Sequence, residues 1–192
     1  MNIRIVLVSI LLLVTLKANE NNFFISQAVG ISKHKVTLVK KSGNIILDQE
    51  PTTTGNSLNL ELGYIYSNKY FSTISYSNIS YTEITIDNIS LSINRKYEIY
   101  SYEPYIGILY GTIKSKLKKS LINGSTKEDI GHSNIYGFQA AIQKKVNTNS
   151  YIYLQYKYFK TKYKRIIQED ASVSELSRNN FSNISLGVKY NF

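Results

Sequence analysis

The last twelve residues of the chain, Phe181-Ser-Asn-Ile-Ser-Leu-Gly-Val-Lys-Tyr-Asn-Phe192, constrain the fold more than any other stretch. Ile184, Leu186, Val188, Tyr190 and Phe192 share one face; Asn183, Ser185, Gly187, Lys189 and Asn191 share the other. A repeat of two is that of a β-strand, whose successive side chains point to opposite faces. One face is apolar and the other polar, so the strand separates two unlike environments. An aromatic residue at such a strand end suits the interface of a bilayer.

The same pattern recurs upstream. The first strand is expected over Phe23–Val36, with Phe23, Ile25, Val29 and Ile31 on the apolar face and Gln27 as its one break. The second covers Ser57–Ser67 on Leu58, Leu60, Leu62, Tyr64 and Tyr66, with Ile65 out of pattern. The third covers Tyr70–Glu83. Its apolar phase moves from Tyr70, Ile74 and Tyr76 to Ile79 and Tyr81, which predicts a bulge or emergence from the membrane near Ser77-Asn78. The fourth, Leu91–Tyr102, carries Arg95 on its apolar face, tolerable near an interface. Tyr105–Lys116, His132–Lys145, Ser150–Tyr163 and the final stretch complete eight.

Three short turns are expected at Asn68-Lys69, Glu103-Pro104 and Val146–Asn149. Four longer loops are expected at Thr37–Asn56, Ile84–Ser90, Leu117–Gly131 and Lys164–Asn180. Strict alternation of short and long connections suits an up-and-down barrel, with turns on one side of a membrane and loops on the other. Strands of ten to fourteen residues exceed the roughly 9–11 needed to cross at a tilt. The expected fold is therefore all-β: an eight-stranded antiparallel up-and-down transmembrane β-barrel, spanning 19–192. Residues 1–18 read as a cleavable secretory signal: Arg4, then Ile5–Leu16 without a charge, then Lys17-Ala18. No further domain is expected after the barrel.

Alternation does not say which face is inside. A soluble eight-stranded barrel of the lipocalin type would bury the apolar face and show the polar one. The membrane arrangement is favoured by polar residues suited to a narrow lumen (Asn59, Glu61, Gln139, Lys157, Lys189), by the aromatic end and by the lack of a packing helix. The 17 tyrosines suit an aromatic girdle at the headgroup level.

The final strand carries Ser185-x-Gly187-x-x-Tyr190-x-Phe192. This resembles the C-terminal signal of bacterial outer-membrane barrels, which the barrel-assembly machinery reads. The organisation from Phe23 to Phe192 resembles the small barrels of the OmpA/OmpX-like and opacity-protein-like families. The resemblance implies a bacterial outer membrane location and partners among its lipids, including lipopolysaccharide. It also implies a surface-antigen or adhesin-type role through external loops, possible host surface molecules included.

The residues themselves offer little chemistry. The absence of cysteine excludes disulfides and thiolate metal sites. His34 and His132 have no metal-ligand neighbour at useful spacing, and no cofactor is expected. The outer-membrane lipid A deacylases use a His-x-Ser pattern. Here His132-Ser133-Asn134 puts Asn at the nucleophile's place, so no enzyme is expected. The formal charge of +10 comes without a nucleic-acid motif, so lipid phosphates are the better partner.

Eight strands leave an interior filled by side chains, and a narrow ion-conducting path stays open as the alternative. Glu61 and Glu98 are expected to face Lys157 and Lys189 inside, because unpaired charges at membrane depth are costly. Lys40, Lys41, Lys116, Lys118, Lys119, Lys160, Lys162, Lys164 and Arg165 are expected to form a basic collar at the outer rim.

Overall fold

The computed structural model describes residues 22–42, 45–49, 52–82, 84–117, 130–169 and 172–192. The expected signal at 1–18 lies outside them. Among the described residues there are nine strands: β1 (Phe23–Ser42), β2 (Ile45–Gln49), β3 (Thr52–Ser67), β4 (Tyr70–Ser80), β5 (Ile84–Lys96), β6 (Tyr102–Leu117), β7 (Ile130–Lys145), β8 (Ser150–Glu169) and β9 (Ser172–Asn191). The order is β1-β3-β4-β5-β6-β7-β8-β9, and β9 pairs back onto β1. Eight antiparallel strands thus close a barrel and leave no edge within it. β2 stands outside the ring, paired only with Leu38–Ser42 of β1.

The register fixes the shape. From Phe24 on β1 the ladder runs through Gly63, Thr73, Ser92, Leu109, Gly137, Phe159 and Phe181. It returns to β1 at His34, ten residues from its start. With eight strands, ~4.8 Å between strands and ~3.3 Å per residue, that shear tilts the strands by about 40° and gives a radius of about 8 Å.

Three expectations change. The loops expected at Thr37–Asn56, Ile84–Ser90 and Lys164–Asn180 are largely strand. Ile84–Ser90 is the start of β5, so the β4–β5 connection is only residues 81–83. At the start of β5 the outward Thr85 and Asp87 are polar, which reads as a loop, yet the ladder continues through them. The turn expected at Glu103-Pro104 lies earlier, at residues 97–101, and Pro104 sits near the start of β6 opposite Ile142, where a strand accepts proline. No bulge interrupts β4 near Ser77-Asn78; its pairings run unbroken from Ser80 to Phe71.

The observed turn holds Tyr100 at φ 55°, a left-handed conformation that costs a side-chain-bearing residue roughly 1–2 kcal/mol. Tyr100 is fully exposed and its side chain buries nothing in return. Tyr100→Gly is expected to stabilise the folded barrel by about 1 kcal/mol, measured as a higher urea midpoint in detergent.

Candidate functional site

The candidate site is the barrel wall itself, whose polarity inverts along its length. Toward the turn end, outward residues are apolar. Val29, Leu91, Ile108, Leu154, Leu186 and Val188 are half or more exposed on the outer surface. The inward positions beside them are buried and polar: Ser26, Asn59, Thr73, Ser92, Gln139, Gln155 and Ser185. A soluble barrel cannot have this arrangement, because it would leave a continuous apolar belt in water.

The lumen at this level is cross-linked. Lys157 Nζ donates to Glu61 Oε1 at 2.6 Å, and both side chains are 3% exposed. Ser26 and Gln155 donate to the same carboxylate, each at 3.3 Å, and Gln155 also donates to the Tyr105 hydroxyl at 3.0 Å. Gln139 donates to Asn94 at 2.7 Å and to Ser92 at 3.0 Å, while Thr73 and Ser92 share a hydrogen bond of 2.7 Å. Nearer the turns, Phe24, Phe71 and Tyr105 form an aromatic cluster. The ring of Phe24 lies against Gly63, where a Cβ would strike it. The gap among Phe24, Glu61, Phe71, Tyr105, Tyr153 and Lys189 has no room for a water molecule.

The lumen charges divide. Glu61 and Lys157 meet. Lys189 points inward but lies over the rings of Tyr151 (4.6 Å) and Phe24 (4.8 Å), with no carboxylate within 4 Å among the described residues. Glu98 is not inside: β5 ends at Lys96, so alternation stops before Glu98, whose side chain is 70% exposed. Glu103, which the sequence placed in a turn, takes the inward place instead. It accepts from Lys96 at 3.2 Å and Gln143 at 2.7 Å.

Toward the loop end the pattern reverses. Inward positions become apolar: Ile79, Tyr81, Ile84, Ile86, Leu109, Ile113, Ile135, Phe159 and Phe181 form one cluster, each at most 5% exposed. Phe181 stacks between Phe159 and His34, and Tyr81 meets His34 edge-on at 4.5 Å. Burying each large member contributes about 1.5–3 kcal/mol. Outward positions become polar: Lys33, Asn56, Asn78, Asp87, Thr112, Asn134, Lys160 and Ser182. In this half the barrel is built like a water-soluble protein. The phase change read at Ile79 and Tyr81 was the visible trace of this reversal; apolar inward residues recur on β5 to β9, whereas β1 and β3 keep Ser32, His34, Gly55 and Ser57 inward.

Among the residues whose side chains are described, the last outward apolar or aromatic ones are Ile31, Leu58, Tyr76, Ile89, Tyr110, Tyr136, Tyr158 and Ile184, one on each barrel strand. Against the register, this boundary steps by zero or two residues at every strand pair. The steps spread the whole shear evenly, so the boundary runs level around the barrel. Four of the eight are tyrosines. At the other rim stand Tyr64, Tyr66, Tyr70, Tyr97, Tyr102 and Tyr190, with Arg95 over the rings of Tyr70 and Tyr97. On β3 the belt runs from Leu58 to Tyr66, about 20 Å along the axis, comparable with the ~25 Å apolar band of a transmembrane barrel.

The polarity and height of this belt decide the architecture. The chain is a transmembrane β-barrel of eight strands. Its fold is that of the small outer-membrane barrels. Neisserial surface protein A is similar at TM-score 0.63 and 14% identity, over 88% of this chain and 97% of that one. OprG of Pseudomonas aeruginosa is similar at TM-score 0.63 and 12% identity, over 89% and 96%. The N-terminal β-barrel domain of Pseudomonas aeruginosa OprF follows at TM-score 0.50 and 14% identity, over 86% and 97%. No family model matches the sequence. No curated protein matches it either.

The remaining positions singled out in the sequence fall as follows. Ser185 and Gly187 face inward, Tyr190 faces outward, and the Phe192 amide donates to the Phe23 carbonyl at 2.9 Å. Of the expected collar, Lys160 is exposed just beyond the boundary and Lys116 pairs with Asp87 at 3.6 Å. Lys118 and Lys119 lie outside the described residues, as do the side chains of Lys40, Lys41, Lys162, Lys164 and Arg165. Asp87, beyond the belt, also accepts from Tyr76 at 2.7 Å and Asn78 at 2.8 Å. Partial burial pushes its carboxyl up, but these donors and Lys116 outweigh it and hold the carboxyl below its ordinary range. His132 is exposed, whereas Ser133 accepts from Thr161 at 2.7 Å. Lys33 and Lys35, both exposed on β1, were not singled out in the sequence, because they sit inside a strand and not in a loop.

Proposed function

We propose that this protein is an integral outer-membrane barrel whose role is carried by its loop end, as a surface antigen or adhesin, and that it is neither an open pore nor an enzyme. The observation that carries this is the filled interior. The Glu61–Lys157 pair and its hydrogen-bonded neighbours occupy one level, and the apolar cluster around Phe159 and Phe181 occupies the next. An ion crossing would have to part both. Neisserial surface protein A, by its name a surface protein, has the same fold. In the same reading the turn end faces the periplasm and residues 1–18 direct export. Ser185, Gly187, Tyr190 and Phe192 are then read by the barrel-assembly machinery.

The test has two parts. Membrane fractions run on a gel unboiled and boiled are expected to show a heat-dependent shift, with the protein in the outer membrane. The folded protein added to planar lipid bilayers is expected to give no conductance above baseline. Discrete conductance steps would favour the narrow channel. A changed lipid A mass on overexpression would favour a lipid-modifying enzyme.

A further inference from the structure

At the turn end, two neighbouring hairpins enclose a cleft. The β3–β4 turn supplies Asn68 and Lys69, and the end of β5 supplies Arg95, Lys96, Tyr97 and Glu98. Its volume is about 330 Å³, the size class of a small-ligand site. The Lys96 amide donates to the Lys69 carbonyl at 2.7 Å and ties the two walls together. The charges are unevenly matched. Lys96 is held by Glu103 at 3.2 Å and lies 4.0 Å from Glu98. Lys69 and Arg95 are exposed, and neither has a carboxylate within 4 Å among the described residues. Arg95 is held instead by the rings of Tyr97 at 5.1 Å and Tyr70 at 5.9 Å. A guanidinium stacked in this way still presents the donors at its edge.

The hairpin that forms one wall ends in a second unusual feature. Ile99 and Tyr102 exchange backbone hydrogen bonds at 2.9 and 3.0 Å, so Tyr100-Ser101 is a two-residue tip. Tyr100 holds its first place at φ 55°, where such turns take glycine. The chain keeps a fully exposed aromatic ring there, at a cost to its own stability. Strained backbone of this kind gathers at ligand clamps.

We infer that this turn-end surface binds a glycan that carries carboxylates, the chemistry of the bacterial wall polymer. Lys69 and Arg95 take a carboxylate, and the Tyr100 ring takes a sugar. The inference rests on the periplasmic placement of the turn end proposed above. Arginine and carboxylate match as a two-pronged, charge-assisted pair. The negative face of the tyrosine ring attracts the C–H groups of a pyranose as it attracts other positive edges. Arg95 and Tyr100 are five residues apart along the hairpin, about 16 Å. A ligand that engages both is therefore an extended chain and not a single sugar. Height separates this ligand from a lipid headgroup. Tyr100 stands about 8 Å beyond Tyr97 and the aromatic rim at the barrel's tilt. A phospholipid phosphate at the rim would meet Arg95 and Lys69 and leave Tyr100 unused.

The experiment sediments the full chain, folded in detergent, with purified cell-wall sacculi. The wild type is expected to co-sediment, and sacculi whose carboxylates are converted to amides are expected to retain about tenfold less. Y100G and K69E are each expected to cut retention about tenfold. K160E, the same charge change as K69E at the other end of the barrel, is expected to keep it. Y100G is also expected to unfold at higher urea than the wild type while binding less, a combination that a merely structural Tyr100 would not show. A gel heat shift checks that each variant is folded; K69Q serves if K69E is not. No co-sedimentation of the folded wild type, full retention in Y100G, equal loss in K160E, or equal retention by amidated sacculi would overturn the site. Displacement of the wild type from sacculi by phosphatidylglycerol added to the detergent would overturn the choice of glycan in favour of a lipid phosphate. A wild type without any heat shift would overturn the barrel reading and the site with it.

Discussion

Glu61→Leu is expected to destabilise the folded barrel by about 3–5 kcal/mol, because it strands the Lys157 ammonium in a dry lumen without a counter-ion. Lys157→Met is expected to cost a similar amount by stranding the carboxylate. The double change Glu61→Leu/Lys157→Met removes both charges and keeps comparable volume, so it is expected to recover most of the loss. Ser26, Gln155 and Tyr105 would then lose a shared partner, which keeps the recovery incomplete. Urea unfolding in lipid vesicles, followed by circular dichroism and by the gel shift, reads all three variants. Additive losses in the double variant would mean the two groups do not interact, contrary to the 2.6 Å contact.

Leu186→Arg is expected to cost about 2–4 kcal/mol in a bilayer, since it places a guanidinium in the middle of the lipid-facing belt. Leu186 is 62% exposed and touches little protein, so a soluble barrel would tolerate the change within about 0.5 kcal/mol. Ser182→Arg, four residues away on the same outward face, is expected to stay within about 0.5 kcal/mol, because it lies beyond the boundary. The difference between these two positions separates lipid from water as the outer environment. Equal effects would remove the boundary from between Ile184 and Ser182.

The outward faces of β1, β3, β8 and β9 were legible because the apolar residues there recur every second position with few breaks. Closure of the barrel was legible only indirectly, through the alternation of short and long connections. The loop ends were misread for a definite reason. Above the boundary the period of two persists, but its meaning reverses: Ile84 and Ile86 go inward, while Thr85 and Asp87 go outward. A polar outward face then looks like a loop when only its solvent has changed. Pro104 looked like a turn residue, and reading the turn there carried the alternation on through Glu98. Ending β5 at Lys96 frees Glu98 and brings Glu103 to the lumen. The pairing of Glu61 with Lys157 was expected on the cost of isolated charges, yet the partners are ninety-six residues apart, and only the register brings them together.

The level boundary between lipid and water is the central claim, and the chain's lack of cysteine makes it directly measurable. Single cysteines placed in turn at Asn180, Ser182, Ile184, Leu186 and Val188 all face outward on β9. In proteoliposomes, a water-soluble maleimide is expected to label Asn180 and Ser182 variants rapidly and the other three hardly at all. The change is expected between Ser182 and Ile184, as well as between Lys33 and Ile31 on β1. Rapid labelling at Leu186 and Val188, equal to that at Ser182, would contradict the account, because the apolar belt would then face water.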